Sequence, residues 1–171
     1  MAADDDHGVS PARFAAELLR EAFGAFPTGV TVVAAERTGG LVGIAASSFT
    51  SVSLDPPLVS VCIARTSTTW PVLRDGERLG VSVLADDQHR LARQFAARDR
   101  DRFAGVRSTA GTAGAVLIDN ACLWLECTVH AELPAGDHVI ALLEVQEIRT
   151  FPERPPLVFH SSEFRQLVFP G

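Results

Sequence analysis

The sequence predicts a mainly β protein, in which a closed or nearly closed antiparallel barrel carries two or three helices on its outside. Short apolar segments rich in Val and Ile, each bounded by turn residues, outnumber the segments with helical periodicity. Most of these segments follow one another directly, as strands of an antiparallel sheet do. With 171 residues and a hydrophobic fraction of 47%, the chain is long enough for one buried core. We therefore expect a disordered tail over residues 1–10 and a single domain over residues 11–171.

The first elements are a helix and a strand. Ser10 and Pro11 suit a helix start, with a hydroxyl at the N-cap and proline at the first helical position. Apolar residues recur behind them at helical spacing and predict an amphipathic helix over residues 11–23 that packs on the core. Residues 27–35 predict a strand, and residues 37–40 predict a turn into the next strand.

Residues 45–51 form an unusual segment, because almost all of them are small or carry hydroxyl groups. We interpret the segment as strand-like, a wall along which a flat ligand can approach the backbone and meet N–H and O–H groups. The alternative is an exposed edge strand, rich in Ser and Thr, that binds nothing. After a proline turn at residues 55–57, residues 58–64 predict a buried strand. Cys62, inside this strand, is expected to be a core residue rather than a nucleophile.

The next segment, residues 65–71, leaves this strand and enters a short helix with a proline near its first turn. Free N–H groups at a helix start favour anions, and the hydroxyls of Ser67, Thr68 and Thr69 would complete an anion pocket. The alternative is that one of the three hydroxyls only caps the helix. Arg65 either adds a charged contact to the pocket or faces solvent.

The second half of the chain adds further strands and one helix. The predicted elements are a strand (78–85), a helix (87–97), an irregular segment (98–122), a hairpin (123–133 with 138–148) and a final strand (157–160). The irregular segment contains three glycines and predicts a functional or interface loop rather than a linker. We find no internal repeat, no low-complexity tract and no second domain.

Charge and composition exclude several classes of function. The net charge is −6, and all 15 basic residues are scattered arginines, which argues against nucleic acid or an acidic membrane surface as a partner. Without lysine, Schiff-base chemistry and Walker-type phosphate binding are excluded, and neither GxGxxG nor GxxxxGK[ST] occurs. No apolar run approaches the ~20 residues of a membrane span, and the N-terminus is acidic, so we expect a cytoplasmic protein.

The cysteines and histidines give weaker signals. Three cysteines without a CxxC pair fit reduced thiols in a cytosolic protein. Cys127 and His130, with His138 a hairpin away, allow a metal site, but a second close ligand pair is absent from the sequence. We therefore expect no metal. His7, His89 and His130 are interpreted as ordinary surface or core histidines.

The small-residue wall and the anion pocket together describe a site for a flat ring with a phosphate tail, which is the shape of flavin mononucleotide (FMN). At this point the sequence resembles the flavin reductase-like family with the FMN-binding split barrel, the NAD(P)H:flavin oxidoreductases that serve two-component monooxygenases. The resemblance extends from Phe23 to about Leu167. It rests on five segments in the expected order: FPTGVTV (26–32), SSFTSVSLDPPLV (47–59), DRFAG (101–105), GDH (136–138) and PLVFH (156–160).

The resemblance implies an antiparallel split β-barrel, a homodimer with flavin near the subunit interface, and hydride transfer from NADH or NADPH to FMN or FAD. It assigns ring and ribityl contacts to Ser47, Ser48, Phe49, Thr50 and Ser51. It assigns the phosphate to Ser67, Thr68 and Thr69, and further flavin contacts to Phe95 and Ala96. His138 becomes the catalytic candidate, orienting the nicotinamide or relaying a proton, and Phe159 and His160 lie on the nicotinamide side.

One departure from the family pattern concerns the nucleotide. Many relatives carry Arg-Gly after the position of His160, whereas this chain carries Ser161 and Ser162, so the affinity for NADH and the choice between NADH and NADPH stay open. Arg165 is a possible substitute for the missing arginine. The competing hypotheses are a non-catalytic flavin- or haem-binding split barrel, an oxidase of pyridoxamine-phosphate type, and a metal-dependent enzyme.

Overall fold

The computed structural model describes residues 14–97 and 101–168. The predicted tail over residues 1–10 lies outside the described residues, as do positions 11–13 of the first predicted helix. No helix within the described part of the chain is long and apolar enough to cross a bilayer.

Most of the described chain is antiparallel β-structure, as predicted. The helices are α1 (Ala16–Gly24), α2 (Trp70–Arg74) and α3 (His89–Ala96), with 3₁₀ turns at Asp86–Gln88 and Thr112–Gly114. The strands are β1 (Thr28–Gly29), β2 (Thr31–Arg37), β3 (Gly40–Ala46), β4 (Thr50–Leu54), β5 (Pro57–Ala64), β6 (Leu79–Val83), β7 (Ser108–Ala110), β8 (Val116–Ile118), β9 (Leu123–Ala135), β10 (His138–Thr150), β11 (Val158–His160) and β12 (Glu163–Arg165).

Seven strands form the main sheet, in the order β3-β2-β6-β9-β10-β5-β4. Its centre is the long β9–β10 hairpin, whose register pairs Pro134 with Val139. The chain therefore reverses at Gly136 and Asp137 alone. The predicted hairpin connection began two residues earlier, at Pro134. Gly136 has a φ of 62°, a conformation that glycine adopts at little cost. A separate small sheet joins β1, β11 and β12.

The two edges of the main sheet come from neighbouring parts of the chain. β3 ends at Ala46 and β4 begins at Thr50, yet these strands occupy opposite edges of the sheet. The sheet curls so that β3 lies beside β5, and residues 47–49 cross the gap between the edges. The prediction of a continuous strand-like segment over residues 45–51 is therefore wrong, because this segment has to cross between the two edges instead of pairing along one of them.

The core has two parts, one on each face of β2. Val33 and Ala35 point into a cluster formed by the main sheet and α2. Val32 and Ala34 point the other way, into a cluster that includes Phe95 of α3. This alternation follows from the period of two along a strand. β2 is therefore buried on both faces, and α3 covers one of them.

Two further expectations are corrected by the structure. No residue of α1 is buried, and Phe23 is 71% exposed, so this helix does not pack on the core as predicted. Its apolar face instead remains open to solvent in the single chain. The predicted irregular segment 98–122 contains the paired strands β7 and β8, which are too short to give a visible alternation in the sequence.

Candidate functional site

A groove of about 600 Å³ lies where β3 and β5 meet, a volume within the ~300–1,000 Å³ range of small-molecule sites. It is bordered by β3, β5, the turn before α2, the end of α3 and the start of β10. The lining residues are Ile44, Ala45, Ala46, Ser47, Ser48, Cys62, Ile63, Ala64, Thr66, Ser67, Thr68, Thr69, Phe95, Ala96, Arg102 and His138.

The wall of the groove is made of small side chains. Ala45 and Ala46 come from β3, and Ala64 comes from β5. Ser48 ties the two strands together: its Oγ accepts a hydrogen bond from the Cys62 N–H at 2.8 Å and donates one to the Cys62 carbonyl at 3.2 Å. Because these side chains are small, a flat ring can lie close to the backbone of both strands.

Hydroxyl groups and one arginine lie together at the turn that leads into α2. The Ser67 Oγ accepts a hydrogen bond from the Trp70 N–H at 3.1 Å, which is the capping role considered as the alternative for this cluster. Thr68 remains exposed to solvent. The Arg102 guanidinium donates to Thr69 Oγ1 at 3.0 Å and to the Gly43 carbonyl at 2.8 Å. A fixed positive charge therefore lies beside the Thr69 hydroxyl in the groove, a combination suited to a phosphate.

His138 lies beside Ala64 at the turn end of the β9–β10 hairpin and borders the groove. Its Nδ1 is 2.8 Å from Asp137 Oδ1, and because an ionised carboxylate can only accept, Nδ1 carries the proton. This hydrogen bond, helped by the charge of the imidazole when protonated, lowers the pKa of Asp137 below its ordinary value. The remaining nitrogen, Nε2, is then the proton acceptor that the ring can offer to a ligand.

The structure brings together eight of the predicted site residues around this groove: Ser47, Ser48, Ser67, Thr68, Thr69, Phe95, Ala96 and His138. The other five lie elsewhere. Phe49 packs against the first core cluster, and Phe159 packs against the second. Thr50 and Ser51 are exposed on the edge strand β4, and His160 lies on β11, near the Ser161 hydroxyl.

Arg102 and Cys62 are two of the groove residues that were not predicted as site residues. Arg102 belongs to the DRFAG segment, and its Nε also donates to the Ala97 carbonyl at 2.8 Å, so three acceptors fix its position. Its place in that segment was the available signal. Cys62 is exposed and lines the groove, so the prediction of a core residue is wrong. Its neighbours Val61 and Ile63 are buried, and the alternation of the strand directs Cys62 the other way.

The residues considered for a metal site do not converge. Cys127 is buried, and burial raises the pKa of its thiol to about 12, which disfavours the thiolate that a metal needs. His130 instead pairs with Glu144 at 3.2 Å. Cys127 is opposite Val145 on β10, seven residues along the strand from His138, which corresponds to roughly 20 Å. No cluster of three potential metal ligands occurs within residues 14–97 and 101–168.

Comparison with known proteins identifies the family. Residues 23–168 match the family described as flavin reductase like domain. The actinorhodin polyketide dimerase of Streptomyces coelicolor is 42% identical over 151 residues, covering 88% of this chain and 85% of that protein.

Two solved structures extend this result to the fold. The NADH:FAD oxidoreductase SgcE6 of Streptomyces globisporus C-1027, solved with NAD and FAD fragments, has a TM-score of 0.83 and 40% identity and covers 88% of this chain and 91% of its own. BorF, the flavin reductase component of a bacterial two-component tryptophan halogenase, has a TM-score of 0.82 and 37% identity, with coverages of 90% and 98%. The chain therefore belongs to the flavin reductase-like family.

Proposed function

We propose that this protein is an NAD(P)H-dependent flavin reductase that binds FMN or FAD in the groove and supplies reduced flavin to a separate monooxygenase. The observation that carries the proposal is the groove itself. A wall of small residues, a cluster of hydroxyls beside the Arg102 guanidinium and the imidazole of His138 all line it. The similar structures of an NADH:FAD oxidoreductase and of a reductase component support the activity and the use of NADH.

The groove fits a flavin in shape and in chemistry. The tricyclic ring would lie along Ala45, Ala46 and Ser47, whose side chains are small. The phosphate would be held by the hydroxyls of Ser67, Thr68 and Thr69, with the guanidinium of Arg102 as its counter-charge. Phe95 and Ala96 border the groove from α3 and complete the site for the flavin tail.

The remaining assignments rest on the family resemblance. Phe49, Thr50 and Ser51 would support the ring from the crossing segment and from β4. Phe159 and His160 would lie toward the nicotinamide, on a sheet separate from the groove.

When bound, the flavin supplies the redox chemistry by accepting a hydride from the reduced pyridine nucleotide. The chain aligns the two rings and excludes water from the space between them. His138, held by Asp137 with Nδ1 protonated, would orient the nicotinamide or accept a proton at Nε2. No pair of carboxylates or catalytic triad is needed for this reaction.

The turn after β11 affects the choice of nucleotide. Ser161 and Ser162 both have positive φ values, 49° and 63°, so they form a tight turn without the arginine found in many relatives. Arg165 pairs with Glu163 at 2.6 Å and is thus already engaged. The pairing with Glu163 makes Arg165 a weaker partner for a 2′-phosphate, which supports NADH rather than NADPH as the donor.

A homodimer is the expected assembly. Leu18 and Phe23 of α1 are 53% and 71% exposed, and Phe26, just after the helix, is 74% exposed. Neighbouring exposed apolar residues of this size are typical of an interface. We infer that a second copy of the chain covers α1. Light scattering on the purified protein should give the mass of two chains, and the mass of one chain would contradict this inference.

The function is tested by mixing the protein with FMN or FAD and NADH or NADPH without oxygen while following the visible flavin absorbance. A reductase bleaches the flavin at a rate that depends on protein concentration. A flavin-storage protein would bind the flavin and leave it oxidised, which would contradict the proposal.

His138→Ala tests the role of the imidazole. We expect turnover to fall by about 10- to 100-fold while the flavin dissociation constant changes less than about threefold. Unchanged kinetics of NADH oxidation would rule out a role for His138 in the reaction.

A further inference from the structure

Glu132 lies on β9, is not among the residues that line the groove, and makes two short contacts with α2. Its Oε1 accepts a hydrogen bond from the Trp70 indole N–H at 2.6 Å, and its Oε2 accepts one from Arg74 at 2.7 Å. The Glu132 side chain is 27% exposed, so both contacts are partly shielded from water. One carboxylate therefore connects the first and the last residue of α2 to the sheet.

α2 is the direct continuation of the hydroxyl cluster. The Trp70 N–H donates to the Ser67 Oγ, and the Leu73 N–H donates to the Thr69 carbonyl at 3.0 Å. Thr69 in turn accepts from Arg102. A shift of α2 along the sheet therefore moves two of the groove hydroxyls and changes the contact between Thr69 and the arginine.

We propose that Glu132 is a positioning residue for the phosphate end of the flavin groove, acting through Trp70 and α2. The inference rests on the proposed function, because it assigns the cluster of Ser67 and Thr69 to a flavin phosphate.

The physical reason lies in the burial of Trp70. This residue is 3% exposed and belongs to the first core cluster, so its indole N–H requires a partner inside the protein. Glu132 provides that partner and thereby fixes the rotation of the helix about its own axis. Packing of Trp70 and Leu73 alone holds the helix against the sheet but does not select one rotation as sharply as a directional hydrogen bond does.

The test compares FMN with riboflavin, which has the same ring and ribityl chain but no phosphate. Dissociation constants for both are measured for wild type, Glu132→Ala, Glu132→Gln, Trp70→Phe and the control Glu144→Gln. Glu144 is a partly exposed carboxylate on the neighbouring strand that pairs with His130 and not with α2. Thermal unfolding of each variant records any general loss of stability.

We expect Glu132→Ala and Trp70→Phe to weaken FMN binding about tenfold, with riboflavin binding within about twofold of wild type. Glu132→Gln keeps an oxygen that can accept from the indole, so its preference for FMN should stay within about threefold of wild type. Glu144→Gln should bind both ligands normally. If Glu132 had only a general structural role, Glu132→Ala would weaken the binding of FMN and riboflavin by similar factors. That result would overturn the inference.

The measurements distinguish a failure of the positioning role from a failure of the proposed phosphate site. If wild type prefers FMN and Glu132→Ala keeps the full preference, the positioning role is wrong while the phosphate site stands. If wild type binds riboflavin as tightly as FMN, the phosphate assignment in the proposed function fails, and the inference fails with it.

Discussion

Ser48→Ala should loosen the contact between the two edges of the sheet. The substitution removes the hydroxyl that bonds to both the N–H and the carbonyl of Cys62. The main-chain pairing of β5 with β10 is unaffected, so the two lost bonds are the change to be measured. Ser48 is only partly buried, and water can replace part of what is lost.

The expected magnitude follows from these two bonds. Each contributes on the order of 0.5–1.5 kcal/mol, and we expect a loss of about 1–2 kcal/mol in the free energy of unfolding because the site is partly solvated. For a chain of this size, that loss corresponds to a decrease of roughly 2–8 °C in Tm. Flavin binding should also weaken, by about threefold to tenfold, since residues 47–49 are no longer held against β5.

Urea unfolding followed by tryptophan fluorescence measures the loss, with Ser47→Ala as the matched control. Ser47 precedes Ser48 in the same crossing segment, and its side chain is exposed. We expect the control to unfold within about 0.5 kcal/mol of wild type. If Ser48→Ala is as stable as Ser47→Ala, the hydroxyl does not hold the two edges together and the reasoning is refuted.

Three other predictions concern the packing of the sheet, the turn after β11 and the reactivity of the cysteines. Gly80→Ala would place a Cβ 2.0 Å from the backbone oxygen of Val116, so we expect a loss of more than about 3 kcal/mol; a Tm within roughly 2 °C of wild type would contradict this. Ser162→Gly relieves a φ of 63° and should raise the free energy of unfolding by about 0.5–1 kcal/mol in a denaturant titration, whereas a decrease would argue against strain in this turn. In the folded protein, iodoacetamide at pH 8 should label the exposed Cys62 and spare Cys127, whose pKa is raised to about 12 by burial; peptide mass spectrometry with equal labelling of the two would be the contrary result.

The raised pKa of Cys127 also has a consequence for stability at alkaline pH. The folded state holds the thiol proton up to about pH 12, whereas the ordinary value is 9.0. The contribution of this group is therefore fully present below pH 9 and is lost as the pH rises through the interval between these two values, because the unfolded chain releases the proton first.

The sequence was sufficient for the elements with strong periodicity. The β9–β10 hairpin and β6 have alternating apolar residues, and α3 carries Phe95 on its buried face, so these elements were predicted close to their observed bounds. The short strands β7, β8 and β12 have three residues each, too few to show a period, and were missed.

The direction of side chains in β5 could not be read from the sequence. Residues 58–64 are almost continuously apolar, and a continuous apolar run does not indicate which residues point to which face. Cys62 was therefore placed in the core, although its side chain lines the groove.

The arrangement of the groove depends on contacts between distant parts of the chain. Ser47, Ser48 and the 67–69 cluster were identified from their side chains, but the crossing between the sheet edges depends on the whole strand order. Arg102 is 33 residues from Thr69 in sequence, and only the fold places its guanidinium beside that hydroxyl. The packing of α1 was also mispredicted, because an apolar stripe looks the same whether it faces a core or a partner.

The most direct test of the flavin site is the crystal structure of the protein with bound FMN. The phosphate should lie within hydrogen-bonding distance of Thr69 and Arg102, with the ring along Ala45, Ala46 and Ser47. A flavin found elsewhere, for example in a second cleft that Arg93 of α3 and Arg165 of β12 line, or a phosphate pointing away from Arg102, would contradict the account.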